Sequence, residues 1–295
     1  MKQTIFDPLV LAKISSMILR ARFVVEGFIA GMHQSPFRGY SIEFAQHREY
    51  SPGDELKHLD WKVYGKTDRF YVKQYQEETN LKAYLVLDAS NSMSFASRKI
   101  SKLQYGTYLT AALAYLMLKQ QDAVGLAIFS SSLDRFIPPR SQYKHVSVLF
   151  NELEKIKCQG ETSISQALKE LGQYTKRRGL IILISDLFDQ PSEVLRALNF
   201  FRFQKHEIIV FHLLDPAEKN LPYQDLISFE DMETKEKIVT RPEVIRREYE
   251  KCLADFINEY KLNFLQNNID YCPLITNQPL DIALCSYLAK RELLL

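Results

Sequence analysis

The chain has 295 residues, of which 46% are hydrophobic and 25% are charged, and its net charge at neutral pH is +2. This composition is typical of a globular protein and excludes a disordered or fibrous chain. A charge so close to zero gives no reason to expect a nucleic-acid partner or binding to a membrane surface. The length favours one substantial domain with an appendage.

Cysteine usage and hydropathy indicate a cytoplasmic protein. The four cysteines are scattered along the chain, which is typical of reduced thiols in a reducing compartment. Asp7, Pro8 and Lys13 interrupt the first apolar stretch, so it makes a poor signal peptide. Since no run approaches the roughly 20 apolar residues that cross a bilayer, we expect no transmembrane segment.

Apolar residues recur near a helical period over residues 7–30. They are Val10, Ile14, Met17, Ala21 and Val24. The pattern predicts one amphipathic helix that docks on the rest of the chain. A helix that binds a partner protein is the alternative interpretation.

Residues 31–80 are rich in aromatic and charged side chains and carry turn signals such as Pro52-Gly53. The segment predicts short strands and loops, and together with the preceding helix it forms a predicted N-terminal region, residues 1–80. Three histidines in it could belong to a second metal site, but their spacing matches no recognised ligand pattern, which favours hydrogen-bonded or solvated side chains. They are His33, His47 and His58.

From residue 81 the pattern becomes an alternation of strands and helices. Four short apolar runs are typical of strands buried on both faces of a parallel sheet, namely AYLVLD (83–88), AVGLAIF (123–129), GLIILISD (179–186) and EIIVFHLLD (207–215). Helical spacing lies between them. Residues 81–295 therefore predict an α/β fold with a doubly wound, mostly parallel, Rossmann-like sheet. LDRFIP (133–138) suits an antiparallel edge strand beside residues 123–129.

The sheet pattern is interrupted after Asp215. Residues near 222–241 predict a hairpin insertion with its tip at Glu233-Thr234-Lys235. A long helix is expected from about Pro242, a suitable first-turn residue, and a last helix around residues 280–293.

Small oxygen-bearing side chains cluster where predicted strands end. In LVLDASNSMSF, Asp88 closes a strand and is followed by Ser90 and Ser92. Asp186 closes another strand, and Thr162 stands at the start of a helix. Ligands of open α/β sheets bind beyond the carboxyl ends of the strands, so these side chains converge if the two strands are neighbours.

Hydroxyl and carboxylate oxygens are the ligands that Mg²⁺ prefers. We predict that Ser90, Ser92 and Thr162 bind the metal directly, while Asp88 and Asp186 hold water molecules or the hydroxyls. Mn²⁺ or Ca²⁺ could take the same place. Neutral ligands leave the cation positive, with a coordination position open to an Asp or Glu of a partner protein. Whether Asp189 takes part is left open.

Three other interpretations of the cluster remain. Asp, Ser and Thr after a strand are also ordinary helix N-caps. Asp88 could be the nucleophile of a magnesium-dependent phosphate-ester hydrolase, although a second carboxylate would then be expected where Ser90 stands. The site could also be a vestige in a structural scaffold.

The motif Asp88-x-Ser90-x-Ser92, then Thr162, then Asp186 resembles the metal-ion-dependent adhesion site of von Willebrand factor A-type domains. The preceding zone resembles the signature of a bacterial family catalogued as domain of unknown function fifty-eight. The matching positions are Gly39, Glu43-Phe44, Arg48, Tyr50, Pro52-Gly53-Asp54, Asp60-Trp61-Lys62, Thr67 and Val72-Lys73. Together the two patterns span roughly residues 31–190.

The resemblance implies a Rossmann-like A-type domain with magnesium at its top and a functional link to MoxR-type AAA+ ATPases, which act with such proteins in assembling or activating other proteins. Many relatives carry apolar membrane anchors that are not found here, so a soluble form is expected. The sequence thus predicts a metal-dependent protein-binding module, an adaptor or assembly partner, and not an enzyme.

Overall fold

A computed structural model describes residues 7–14, 16–34, 47–49, 71–73 and 81–292. The chain divides into two compact units, one of Met1–Ala30 with Leu81–Leu295 and one of Gly31–Asn80. The predicted grouping of residues 1–80 is corrected by this division, because the N-terminal segment belongs with the α/β unit. Its Met17 N–H donates to Glu154 Oε1 at 3.2 Å, and Arg20 lies over the ring of Tyr108, 4.9 Å from its centroid.

The predicted N-terminal helix is confirmed as α2 (Met17–Gln34), but it begins later than predicted, because the residues before it form a separate short helix, α1 (Pro8–Leu11). A tight turn closes α1, with the Ile14 N–H on the Leu11 carbonyl at 3.0 Å. The carbonyl of Ser16 then accepts the first hydrogen bond of α2, from Arg20 at 3.0 Å. Serine is a preferred residue at such a helix start, and the predicted apolar face of α2 is buried.

The small unit contains an antiparallel pair, β1 (His47–Glu49) and β2 (Tyr71–Lys73), with Arg48 opposite Val72. Both residues are signature positions of the family that the sequence resembles. The other predictions for this segment, including the Pro52-Gly53 turn and the histidine side chains, lie outside the described residues.

The predicted mostly parallel sheet is confirmed. Its six strands are β3 (Lys82–Asp88), β4 (Ala123–Phe129), β5 (Leu133–Arg140), β6 (Leu180–Ser185), β7 (Glu207–Leu214) and β10 (Asp270–Ile275). They lie in the order β10-β7-β6-β3-β4-β5. Every neighbouring pair is parallel except β4 and β5, which are antiparallel, as LDRFIP predicts.

Helices cover both faces of the sheet, as a doubly wound fold requires. The helices are α3 (Lys102–Lys119), α4 (His145–Leu153), α5 (Ile164–Leu171), α6 (Pro191–Phe203), α7 (Pro216–Asn220), α8 (Pro242–Gln266) and α9 (Asp281–Glu292), and a 3₁₀ turn spans Asn91–Ser94. The apolar faces of α5, α6 and α8 pack with Tyr84 and Val86 in one core. On the other face of the sheet, Gly106 of α3 lies against Leu87 and Ile184. Among the helices of the described residues, none has the length and apolar character of a membrane span.

The hairpin lies where the sequence predicts it, with β8 (Ile227–Glu230) antiparallel to β9 (Lys237–Thr240). Asp231 shapes its tip by accepting the N–H groups of Glu233 at 2.8 Å and Thr234 at 2.7 Å. Lys235 takes a left-handed conformation, with φ of 64°. These hydrogen bonds fix the backbone of the tip and thereby the position from which the Glu233 side chain extends.

Candidate metal centre

The two aspartates of the predicted site end neighbouring strands. Because β3 pairs with β6 in register Leu87 to Ile184, Asp88 and Asp186 emerge side by side at one edge of the sheet. Both side chains are fully buried. Asp88 accepts the Ser90 N–H on Oδ1 at 2.9 Å and the Ser185 hydroxyl on Oδ2 at 2.6 Å. Two carboxylates therefore lie at this edge beneath the serines.

The two serines present their hydroxyls to each other. Ser90 Oγ and Ser92 Oγ are 3.0 Å apart. Ser90 precedes the 3₁₀ turn, but its side chain makes no capping hydrogen bond there. The helix-cap interpretation therefore does not account for Ser90.

Thr162 lies on a loop that runs beside the serine segment. The loop is held there by the Gln159 N–H on the Ala89 carbonyl at 2.9 Å and by the Asn91 N–H on the Gly160 carbonyl at 3.1 Å. The Thr162 hydroxyl donates to Glu233 Oε1 at 2.6 Å, and its N–H donates to Glu233 Oε2 at 3.1 Å. Thr162 thus contacts the hairpin tip rather than capping α5, whose N-cap residue is Ser163.

Asp189 links two loops beside the site. Its Oδ2 accepts the N–H of Ile164 at the start of α5 at 2.9 Å, and its Oδ1 accepts the N–H of Gln190 before α6 at 2.6 Å. One carboxylate therefore joins the loop that carries Thr162 to the loop that follows Asp186.

Lys102 is the site residue that the sequence prediction missed. Its Nζ lies 2.8 Å from Asp186 Oδ2 and 2.5 Å from Glu218 Oε1, and its side chain is fully buried. A sequence signal exists, since Lys102 is the first residue of α3, where the helix dipole disfavours a cation. A lysine in that position needs a compensating partner, and here the partners are carboxylates.

Carboxylates outnumber the single ammonium in this cluster, in which Asp88 and Asp186 are fully buried and Glu218 is partly exposed. Burial, followed by the charge of Asp186, raises the pKa of Asp88 to about 7. Burial alone would lower the pKa of Lys102, but Asp186 and Glu218 together raise it. Burial also raises the pKa of the nearby Cys158 thiol to about 11, so this thiol adds no negative charge to the cluster at neutral pH.

A cavity of about 360 Å³ lies between the serine segment and the hairpin tip. Acidic and basic groups share its wall with two aromatic rings. It is lined by Ser92, Phe95, Lys102, Phe188, Glu218, Asp231, Met232 and Glu233. The cavity is polar enough for an ion and large enough for one acidic side chain.

The donor set fits a hard divalent cation. The 3.0 Å between the serine oxygens suits a hydrogen bond. It equally suits two neighbouring ligands of octahedral Mg²⁺, which lie about 3.0 Å apart when each bond is about 2.1 Å. Within the described part of the chain, no group of three or more His, Cys, Asp or Glu side chains could hold a metal. A metal at this edge would therefore depend on hydroxyl ligands, as the motif predicts.

Asp88 is poorly placed to act as a nucleophile. Its side chain is fully buried, and each carboxylate oxygen already accepts a hydrogen bond. A nucleophile must reach its substrate with a free oxygen. The geometry thus disfavours the phosphate-ester hydrolase.

His212 provides a pH-dependent prediction beside the site. Burial lowers its pKa from 6.5 to about 4, and its Nδ1 is 2.6 Å from the Tyr271 hydroxyl. Because the unfolded chain binds the proton more tightly than the folded chain, protonation of His212 favours unfolding. The free energy of unfolding is therefore highest above pH 6.5 and falls as the pH decreases toward 4.

We expect the free energy of unfolding of the wild type, relative to His212→Asn, to fall by about 2 kcal/mol between pH 7 and pH 5. Urea titrations at each pH measure this difference, and other titrating groups cancel between the two proteins. A constant difference would contradict a buried neutral His212.

Comparison with known proteins places the chain in a sequence family. The family described as "Protein of unknown function DUF58" matches residues 46–256. An uncharacterized protein of Mycobacterium tuberculosis is 25% identical over 233 residues, which cover 77% of this chain and 72% of that protein. The uncharacterized protein YeaD of Bacillus subtilis is 24% identical over 147 residues, covering 50% of this chain and 35% of YeaD.

Solved structures similar to this chain include three domains of low sequence identity. BatB from Bacteroides thetaiotaomicron is 17% identical, with a TM-score of 0.45, over 72% of this chain and 98% of BatB. The SpRpn10 VWA domain is 8% identical, with a TM-score of 0.42, over 70% and 93% of the two chains. The vWF domain of the pilus tip protein Mfa5 from Porphyromonas gingivalis is 12% identical, with a TM-score of 0.38, over 72% and 95%.

Proposed function

The chain belongs to the DUF58 family. We propose that it is a protein-binding module that depends on Mg²⁺, because its motif Asp88-x-Ser90-x-Ser92 resembles a metal-ion-dependent adhesion site and lies at the end of a strand of an α/β sheet. Ser90, Ser92 and Thr162 would hold the metal, and Asp88 and Asp186 would orient its water molecules or the hydroxyls. Mn²⁺ or Ca²⁺ could replace Mg²⁺. The observation that carries the proposal is the serine hydroxyl pair lying above a buried surplus of carboxylates.

The surplus charge explains why a divalent cation suits this place. Asp186 and Glu218 outnumber the ammonium of Lys102 by one. Asp88, whose pKa burial raises to about 7, is partly ionised at neutral pH and adds to this surplus, and uncompensated buried charge is costly. A bound Mg²⁺ would more than balance that surplus, and its remaining positive charge would attract one further carboxylate. The partner's ligand is therefore an aspartate or glutamate side chain.

The residues around the cation have separate tasks. Lys102 holds one oxygen of Asp186, which sets the orientation of that carboxylate. Asp189 fixes the Thr162 loop against α6. Phe95 and Phe188 line the cavity, and their apolar rings would lower the local polarity and so strengthen the attraction between a metal and an entering acid.

We assign the partner to the MoxR-type AAA+ ATPases or their clients, with the protein acting as an adaptor or assembly factor in the cytoplasm. This pairing is what the resemblance of the sequence to the family implies. A pull-down with the purified ATPase tests it, and we expect capture in Mg²⁺ that is lost both in a chelator and with Ser90→Ala. Equal capture under all three conditions would contradict a role for the metal site.

Metal binding itself is tested by stability. Mg²⁺ at about 100 times its dissociation constant should raise the free energy of unfolding of the wild type by about 2.7 kcal/mol. Ser90→Ala removes one ligand and should weaken binding at least tenfold, with a corresponding loss of the shift. The control is Ser97→Ala, an exposed serine outside the site. A Mg²⁺ response of equal size in Ser90→Ala and the wild type would refute the assignment.

A further inference from the structure

Glu233 makes a two-point contact with a residue of the proposed metal site. Its two carboxylate oxygens accept the hydroxyl and the N–H of Thr162, at 2.6 Å and 3.1 Å. The two residues are 71 positions apart in sequence. An acidic side chain of the protein itself thus lies where the proposed function places the acid of a partner.

The hairpin carries this acid on a largely exposed arm. Ile238 is 68% exposed and Val239 is 62% exposed, so β9 buries little apolar surface. The tip touches the serine segment through Met232, whose Sδ is 3.9 Å from Ser94 Oγ. Segments with few buried contacts open at low free-energy cost, so the tip can leave the site while the sheet stays folded.

Charge balance allows one acid at a time. Glu233 lines the same cavity as Ser92, Lys102 and Glu218. A divalent cation that more than balances the surplus keeps positive charge for one additional carboxylate, whereas a second carboxylate would meet uncompensated negative charge. Glu233 and a partner's acid therefore compete.

We propose that Glu233 fills the open coordination position of the metal in the unpartnered protein, so that a partner's acidic side chain must displace the hairpin tip. This inference rests on the proposed function, because it requires a metal on Thr162 and the serines. It deepens that function, because the hairpin would be an internal ligand that competes with the partner and so lowers the apparent affinity for it.

The experiment uses Mn²⁺ as the metal and acetate as the carboxylate probe. Relaxation of bulk water protons reports how many exchangeable water molecules the bound Mn²⁺ carries. In the wild type we expect acetate to leave this relaxation rate unchanged. Glu233→Gln should raise the rate, make it sensitive to acetate, and weaken Mn²⁺ binding about tenfold. Glu236→Gln, an exposed glutamate of the same hairpin tip, is the matched control and should behave as the wild type.

A second measurement needs no variant. Hydrogen exchange of the tip amides, residues 231–236, should slow when Mg²⁺ is added to the wild type and should be faster again with acetate in excess. If Mn²⁺ and Mg²⁺ bind none of the proteins, the proposed function fails. If Mn²⁺ binds the wild type and Glu233→Gln with equal affinity and equal acetate response, and Mg²⁺ leaves tip exchange unchanged, only the role of Glu233 is refuted.

Discussion

Replacing Lys102 with methionine is expected to lower the free energy of unfolding by about 3–5 kcal/mol. Lys102 is fully buried and lies 2.8 Å from Asp186 and 2.5 Å from Glu218. Methionine fills similar space but leaves both carboxylates without their cation. Removing one member of a buried ion pair costs more than replacing all members with apolar groups.

Chemical denaturation in the presence of a chelator measures this loss. Adding Glu218→Gln to the Lys102→Met protein should restore part of the stability, because one unpaired charge is removed. Lys99→Met, a change at an exposed lysine, should alter stability by no more than about 0.5 kcal/mol. If Lys102→Met lowers the free energy of unfolding only slightly, this expectation is contradicted, and other groups stabilise Asp186 and Glu218.

Neutralising Asp88 should have opposite effects on stability and on metal binding. In a chelator at pH 8, Asp88→Asn should raise the free energy of unfolding by about 2 kcal/mol, because an ionised carboxylate that burial and Asp186 disfavour is removed. The Ser185 hydroxyl, 2.6 Å from Asp88 Oδ2, can reverse its hydrogen bond to accept from the amide. In Mg²⁺ the variant should lose the gain of about 2.7 kcal/mol expected for the wild type.

Thermal and urea unfolding with and without Mg²⁺ measure both effects. Asp189→Asn is a control for which we expect the opposite effect, a lower free energy of unfolding. Asp189 accepts two backbone N–H groups, one on each carboxylate oxygen, and asparagine has a single side-chain oxygen to accept one of them. That change should cost about 1 kcal/mol. A destabilised Asp88→Asn in the chelator would contradict the surplus of negative charge.

Local sequence patterns were sufficient for most of the sheet. The run AVGLAIF predicts β4 at Ala123–Phe129, because a strand buried on both faces needs apolar residues at every position. The antiparallel β5 and the hairpin at 227–240 follow from similarly short patterns. The break between α1 and α2 was not predicted, because the apolar spacing continues across Ser16, whose carbonyl accepts the first hydrogen bond of α2.

The site was less predictable, because its partners are far apart in sequence. The end positions of β3 and β6 bring Asp88 and Asp186 together, and that follows from topology. The bonds from Lys102 to Asp186 and to Glu218 join residues 84 and 116 positions apart. The spacing of apolar residues gives no information on these pairings, since they depend on how the helices dock on the sheet. The contact of Thr162 with Glu233 depends likewise on the fold of the hairpin tip.

The double hydrogen bonding of Asp189 has a thermodynamic consequence for ligand capture. Since its carboxylate ties the loop before α5 to the loop before α6, both loops hold their conformations before any ion arrives. Preorganised sites lose little conformational entropy on binding. Calorimetry with Glu233→Gln, in which the hairpin acid no longer contributes, should then give a heat-capacity change close to zero, because capture neither folds backbone nor buries much apolar surface.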